Sequence, residues 1–479
     1  MHKLKVLCGA LAVLLLLTNA AIVAEDKPAD PPKKKPLITL GDKVEDSVDK
    51  GCEWLKKQQN PDGIWGKLPP NPPLYSAGTP HKYEIGRTAF PIWALCKSGV
   101  FHDDPAITRG MNWLRKNYDK YCNDNNAVVY ENACVVNAIE AFYISKWEGE
   151  QRKLNYEKAK AKGILRWGTE EAGAKKAKEK KVVKQLNVST EDMNIAKKAV
   201  GELNEHYRKA YGFGGWRYRK DSTDPGPTID ISATQYAMLG YHSATRLGIS
   251  YDRNILFDAL GYFLDEQDKT GPKMDRVVNP DGGKPEEKKE EPKKDDEKST
   301  ASRKYNPRAE DQARGWGYGR RTPHDPNDAI TYGSMTCAGI CALIIIRDEL
   351  EDDPKYKAKY DAKAKQVEQA IYDGLAWLVT NWSVSTNPPR QLYRLYYYLY
   401  SLERVGMLGA VDFIGGHDWY FDGAVVMLDA QKPDKNGAFW DTNTEVDPSD
   451  IYDTCYALLF LKRATDTIDR PKPVITGRD

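Results

Sequence analysis

Apolar positions along this chain recur in pairs of unlike stretches. One stretch carries apolar residues on a single face and closes at a Gly-rich turn, and the next is apolar almost all round. The first copy runs from Gly51, Trp54 and Leu55 through Gln59, Gly63, Trp65 and Gly66, then from Arg87 through Phe90, Ile92 and Trp93 to Leu95, ending at Gly99. The spacing predicts an amphipathic helix followed by a buried one. Later copies match in part: 110–114 with 133–143; 194–207, a turn at 212–216, then 232–248; 260–271, a long insertion, then 315–317 and 334–346; 374–378 with 391–406; and 424–431, a turn at 437–440, then 453–464.

Six helical hairpins follow, and hairpins of this kind must stack with their apolar members inward. Six can close into a ring, so the predicted architecture is all-α, an (α/α)6 toroid spanning 40–466. An open solenoid is the rival arrangement, but it needs polar capping repeats, and the pattern supplies none.

Flanking segments read differently. Residues 1–24 combine Lys3 and Lys5, an apolar run over 6–17 and small residues at Ala20, Ala21 and Ala24, the pattern of a signal peptide that directs export to a secreted or periplasmic location. That apolar run is shorter than the roughly 20 residues of a spanning helix, so no transmembrane helix is expected in the mature chain. Residues 25–39 form a Pro/Lys linker and 467–479 a tail. Two charged insertions, about 145–190 and 272–312, interrupt the ring; the first holds 13 basic and 6 acidic residues and suits an exposed helix, with peripheral contact to an anionic envelope surface as a secondary expectation.

Composition narrows the function classes. The 479 residues carry 71 Lys+Arg against 69 Asp+Glu, and loss of the signal segment leaves the balance neutral, so no nucleic-acid partner is expected. Seven cysteines remain (Cys52, Cys96, Cys122, Cys134, Cys337, Cys341, Cys455), an odd, irregular set that predicts buried thiols rather than a disulfide framework. The aromatics are unusual, with 28 Tyr and 12 Trp against 10 Phe.

The run Gln59, Gly63, Trp65 resembles the QW repeat of squalene–hopene cyclases and other terpenoid cyclases, whose toroid is shared with protein prenyltransferase β subunits. Gln431 with Gly437, Phe439 and Trp440 resembles a stretched copy, and Gln267 with Gly271 is expected to find its aromatic in Trp316, across the insertion. In that motif the Gln amide bonds backbone at a helix end while the Trp ring covers the turn, which makes Trp54, Trp65, Trp113, Trp377 and Trp440 scaffold residues.

In a ring of this kind the inner helices begin at one end, so their first residues converge at a mouth. The candidates there are His81, Tyr83, Glu84 and Arg87; Tyr130 and Glu131; Asp230 and Ser232; Tyr332 and Ser334; Tyr393 and Arg394; and Asp450, Tyr452 and Asp453. Glu84, Glu131, Asp230, Asp450 and Asp453 are candidate acids, and Arg87, Tyr130, Tyr332, Arg394 and Tyr452 candidate ligand contacts. For each acid, capping of a helix start competes with catalysis.

Asp450-Ile451-Tyr452-Asp453-Thr454 resembles the Asp-x-Asp-Asp-Thr acid of class II terpene cyclases, except that Tyr452 stands where the proton-giving acid belongs. A phenol of pKa about 10 cannot protonate an alkene, so ordinary cyclase activity is not expected. Asp453-Thr454-Cys455-Tyr456 resembles the Asp-x-Cys-Tyr of prenyltransferase β subunits, where Asp and Cys bind zinc with a later His. No His follows here. His81 is the substitute that ring closure would bring near, giving Asp453, Cys455 and His81 as a zinc set; otherwise no cofactor is expected. The leading expectation is a binding or scaffold protein taking a lipid, glycan or protein at the mouth. An atypical isoprenoid cyclase or prenyltransferase-like enzyme, and a carbohydrate-active (α/α)6 enzyme using paired carboxylates, are the alternatives.

Overall fold

A computed structural model describes residues 39–66, 83–122, 128–161, 186–210, 212–218, 229–276, 310–319, 329–351, 353–444, 449–463 and 465, with side chains of the α4 helix described as far as Glu150. Leu40 begins the compact unit. Its helices alternate outer and inner: α1 Leu40–Lys57, α2 Glu84–Lys97, α3 Pro105–Tyr121, α4 Val128–Ala161, α5 Thr190–Glu205, α6 Ile231–Arg246, α7 Asn254–Glu266, α8 Gly333–Glu351, α9 Lys357–Thr380, α10 Leu395–Leu408, α11 Trp419–Ala430 and α12 Ser449–Leu461.

The even-numbered helices pack in sequence, α2 on α4, α4 on α6, and so on to α12, which returns to α2. The chain is therefore a closed (α/α)6 toroid. The composition of the inner helices explains the arrangement. In α2 every residue from Glu84 to Cys96 is buried, and in α8 every residue from Gly333 to Ile346, so neither has a face to offer water. Outer helices such as α1 bury one stripe, Val44, Val48, Gly51, Cys52 and Leu55.

Four of the hairpin turns are reinforced in a way the helical pattern does not reveal. Short antiparallel ribbons follow three outer helices, β1 Arg208–Ala210 with β2 Phe213–Gly215, β3 Lys273–Asp275 with β4 Glu310–Gln312, and β7 Lys432–Asp434 with β8 Gly437–Phe439, while β5 Phe413–Ile414 with β6 His417–Asp418 joins the inner α10 to the outer α11. After α1, a single bridge joins Gln59 to Trp65. Four indoles then turn back into the ring, each fully buried: Trp65 donates to the Leu55 carbonyl at 2.8 Å, Trp216 to Leu203 at 2.7 Å, Trp316 to Phe263 at 2.7 Å and Trp440 to Met427 at 2.8 Å. Each caps carbonyls that the end of an outer helix leaves unpaired.

Glutamines at the same level reach the next hairpin. Gln59 donates to the Ala106 carbonyl at 2.9 Å, Gln267 to Ala370 at 2.9 Å and Gln431 to Ser47 at 2.9 Å, the last joining the sixth hairpin to the first. Trp54, Trp113 and Trp377 are buried as well.

Two boundaries differ from the sequence expectation. The fifth inner helix starts at Leu395, not 391, because Gln391 (φ 55°) and Arg394 (φ 51°) adopt left-handed backbone that a helix cannot include. The second inner helix runs on to Ala161, into the segment assigned to the first insertion. The remainder of that insertion, most of the second, the signal segment, the linker and the tail lie outside the described residues. All seven cysteines, Cys52 to Cys455, are buried and free. No helix among the described residues is long and apolar enough to cross a membrane.

Candidate functional site

The inner helices begin at one end of the ring, and their first turns bring most of the predicted residues to one mouth. The acids there are committed to backbone. Glu131, at the start of α4, accepts the Gly86 N–H of α2 at 2.9 Å. Asp230 caps α6 by accepting the Ala233 N–H at 2.7 Å. Asp453 takes both the N–H and the hydroxyl of Thr442, at 2.7 and 2.8 Å, and Asp450 accepts the Ile451 N–H at 2.8 Å. Glu84, Glu131, Asp230 and Asp453 are all buried. Four of the five predicted acids thus hold the ends of chain segments in place.

Asp230 keeps a second property. Burial pushes its carboxyl up to about 6, against the Ala233 N–H and the Arg217 guanidinium 3.6 Å away, both of which favour the anion. Beside it, Tyr218 and Tyr318 share a hydrogen bond of 2.5 Å between their hydroxyls.

The predicted ligand contacts divide. Tyr130 is half-buried and packs edge-on against Tyr236 of α6, centroids 4.9 Å apart. Tyr452 is half-buried and stacks on Phe90 at 6.1 Å; burial raises its hydroxyl well above the usual phenol value, while Arg87 nearby pulls the other way. Arg87 is buried, its Nε donating to the Trp65 carbonyl at 3.1 Å and its Nη2 without a hydrogen-bond partner. Tyr332 is buried beneath the Arg390 guanidinium, 4.2 Å above its ring. Arg394 lies on the rim, bonded to the Tyr393 hydroxyl at 3.1 Å. Tyr83, Gln391, Arg394 and Asn443, all at this end, hold positive φ, a concentration of backbone strain of the kind found at binding sites.

Below these residues the axis is filled by aromatics, of which sequence reasoning did not single out Tyr236, Tyr397 and Tyr400. Tyr236 and Tyr456 share a hydrogen bond of 2.6 Å between hydroxyls on α6 and α12. Tyr456 also meets Phe90 (4.8 Å), Tyr397 (5.5 Å) and Tyr400 (5.8 Å), and Tyr400 meets Trp93 (6.0 Å). Ser232 and Tyr397 approach to 3.5 Å. Arg404, fully buried, lies with its guanidinium 4.2 Å over the Tyr400 ring. Tyr397, Tyr400, Ser401 and Arg404 share one helical face, at intervals of three and four residues, and that spacing was the available signal.

Of the zinc set, His81 lies outside the described residues. Asp453 is engaged by Thr442, and burial holds the Cys455 thiol well above its ordinary value, which favours the neutral thiol. His242, Asp348 and Glu349, at the opposite ends of α6 and α8, place ligand atoms within 4.8 Å of one another. Glu349 is already bonded to Thr245 (2.8 Å), Arg253 (3.2 Å) and His242 (3.3 Å).

Fold and mouth together define an (α/α)6 toroid with a tyrosine-lined axis. No family model matches the chain. A squalene–hopene cyclase of Zymomonas mobilis subsp. mobilis is 35% identical over 75 residues, a match that spans 15% of this chain and 11% of that enzyme. Among solved structures, an α-1,6-mannanase from Salegentibacter sp. HEL1_6 aligns over 89% of this chain and 99% of its own at 9% identity and a TM-score of 0.48. An inactive variant of that mannanase with α-1,6-mannotetrose aligns over 89% and 98% at 8% identity and a TM-score of 0.45.

Proposed function

We propose that the chain is an exported binding protein whose axial mouth takes a saccharide. The observation that carries this reading is the concentration of tyrosines at the axis, where Tyr130, Tyr452 and Tyr456 are half-buried above the buried Tyr236 and Tyr397. A pyranose presents apolar C–H faces and a rim of hydroxyls, and a tyrosine answers both. Commitment of Glu131, Asp230, Asp450 and Asp453 to backbone N–H groups supports binding over two-carboxylate hydrolysis. Export rests on the signal pattern of residues 1–24.

Calorimetric titration of the purified protein with neutral and acidic oligosaccharides tests the proposal. Binding that weakens at least 10-fold in Tyr456→Ala, with the helical spectrum unchanged, supports it. Saturable binding of a polyisoprenoid, with no response to any saccharide, overturns it.

One observation favours a second reading, in which the saccharide is also cleaved. The Asp230 carboxyl, pushed up to about 6, is suited to give a proton near neutral pH. Release of reducing ends by the native chain and its loss in Asp230→Asn would establish that activity.

A further inference from the structure

We propose that His242, Asp348 and Glu349 form a site for one divalent metal ion of the zinc type, at the end of the ring opposite the mouth. The inference stands apart from the saccharide reading. The inner helices α6 and α8 pack side by side, and near their C-terminal ends each of the three residues places one ligand atom within 4.8 Å of the other two. An imidazole with two carboxylates is a donor set that zinc accepts. The site is open to solvent, since His242 and Asp348 are half-buried and Glu349 alone is buried.

The hydrogen bonds of Glu349 show how the set is held. Its Oε2 accepts the Thr245 hydroxyl at 2.8 Å, the Arg253 Nη2 at 3.2 Å and the Tyr251 hydroxyl at 3.4 Å. Its Oε1 faces His242 Nδ1, 3.3 Å away. That separation exceeds the usual N–H···O length of about 2.9 to 3.0 Å. It matches instead the edge of a tetrahedron, roughly 3.4 Å, whose corners are donors about 2.1 Å from a zinc ion. The three bonds on the far oxygen fix the carboxylate, as partners behind a metal ligand do. A turn of the half-buried Asp348 side chain closes the set.

Charge points the same way. Arg246 pairs with Glu140 at 2.6 Å, and Arg253 is shared between Glu349 and Asp353. Counting these groups with Asp348, four carboxylates stand against two guanidiniums, and a divalent cation cancels the excess. Arg347, next in the chain, lines a separate cleft with Glu351, Lys357 and Asp361. The α8 helix has no basic residue in its last turn, so no cation of its own complements the negative end of its dipole. A bound ion would tie the third hairpin to the fourth, and three protein ligands leave a coordination position for water or a small anion.

The test titrates zinc chloride into the chelator-stripped full chain, with magnesium and calcium chloride alongside, in the native protein and in His242→Gln, Asp348→Asn and the control His417→Gln. His417 lies 3.7 Å from Asp422 elsewhere on the molecule and is the place an adventitious ion would choose. The native chain is expected to take up one equivalent of zinc and to melt at a higher temperature when loaded. His242→Gln and Asp348→Asn should each weaken zinc binding about 10-fold or more, with the metal-free midpoint close to native. His242→Cys, which restores a zinc ligand, should recover part of the affinity and so separates a lost ligand from a damaged fold. Unchanged binding in His417→Gln supports the site. No uptake by the native chain, uptake that survives both ligand variants, or loss of uptake in His417→Gln overturns the proposal. Magnesium or calcium binding as tight as that of zinc overturns it too, because those ions do not select an imidazole.

Discussion

Gln431 and Ser47, 384 positions apart, exchange two hydrogen bonds: the Gln431 amide donates to the Ser47 carbonyl at 2.9 Å, and the Ser47 hydroxyl donates to the Gln431 amide oxygen at 2.9 Å. This pair sits on the seam where the sixth hairpin meets the first, beside the Lys462–Glu45 ion pair at 3.0 Å. Gln431→Ala should therefore strand a carbonyl and a hydroxyl and lower stability by about 1 to 3 kcal/mol, read from the urea midpoint at unchanged m-value. Lys462→Ala, removing an exposed pair, should cost less than about 1 kcal/mol.

The second prediction concerns the indoles. A Cβ added at Gly339 would meet the Trp316 ring at 2.5 to 2.8 Å, so Gly339→Ala forces a packed ring aside and should cost about 1 to 3 kcal/mol in a thermal or chemical melt. Gly201, on α5, has nothing within 4 Å of the same added atom, and Gly201→Ala should leave stability equal or slightly higher.

pH dependence follows from two buried carboxyls. Burial pushes Glu403 up to about 7, against its Thr465 bonds, and Asp230 up to about 6. Between the ordinary carboxylate range and these values the folded chain binds more protons than the unfolded one, so their contribution is complete at the acid end and is lost as pH rises. Unfolding free energy should decline from about pH 4 to 7 by on the order of 3 kcal/mol per group at most. Urea titrations across that range check it, and Glu403→Gln should flatten the decline near pH 7.

At the mouth, the caps and the contact residues should respond differently. Asp453→Asn replaces a carboxylate that takes two bonds from Thr442 and should lower stability by about 1 to 2 kcal/mol. Tyr130→Ala should instead weaken saccharide binding about 10-fold while the midpoint moves less, because Tyr130 is half-buried at the edge of the packed axis. Equal effects of both variants on affinity would contradict this division.

Much of the ring could be read from the chain. The all-apolar stretches ending at Leu95, Tyr143 and Ile346 announce inner helices, and Gln59, Gln267 and Gln431 mark where hairpins turn. The pairing of Trp316 with the α7 helix was visible even across the second insertion, because Gln267 and Gly271 stand at the turn that needs it. The ribbons were not legible: strands of two or three residues leave no periodicity. Nor was the division of the mouth. Asp230 and Asp453 carry the same local pattern as catalytic acids, and only the position of the Ala233 and Thr442 N–H groups shows them as caps. Arg404 lay within the stretch 391–406 read as an inner helix, but its face toward Tyr397, Tyr400 and Ser401 became evident only with the ring closed around it.

Closure of that ring carries a consequence for synthesis. The α1 helix packs on α11 and α12, so its apolar stripe has no native cover until the last hairpin has left the ribosome. The earliest segment made is among the last to be satisfied, and assembly of the seam must wait for the whole chain, with contacts of very high sequence separation closing late. Without its sixth hairpin the ring stays open, so a truncated chain lacks a closed toroid however complete its other five hairpins are.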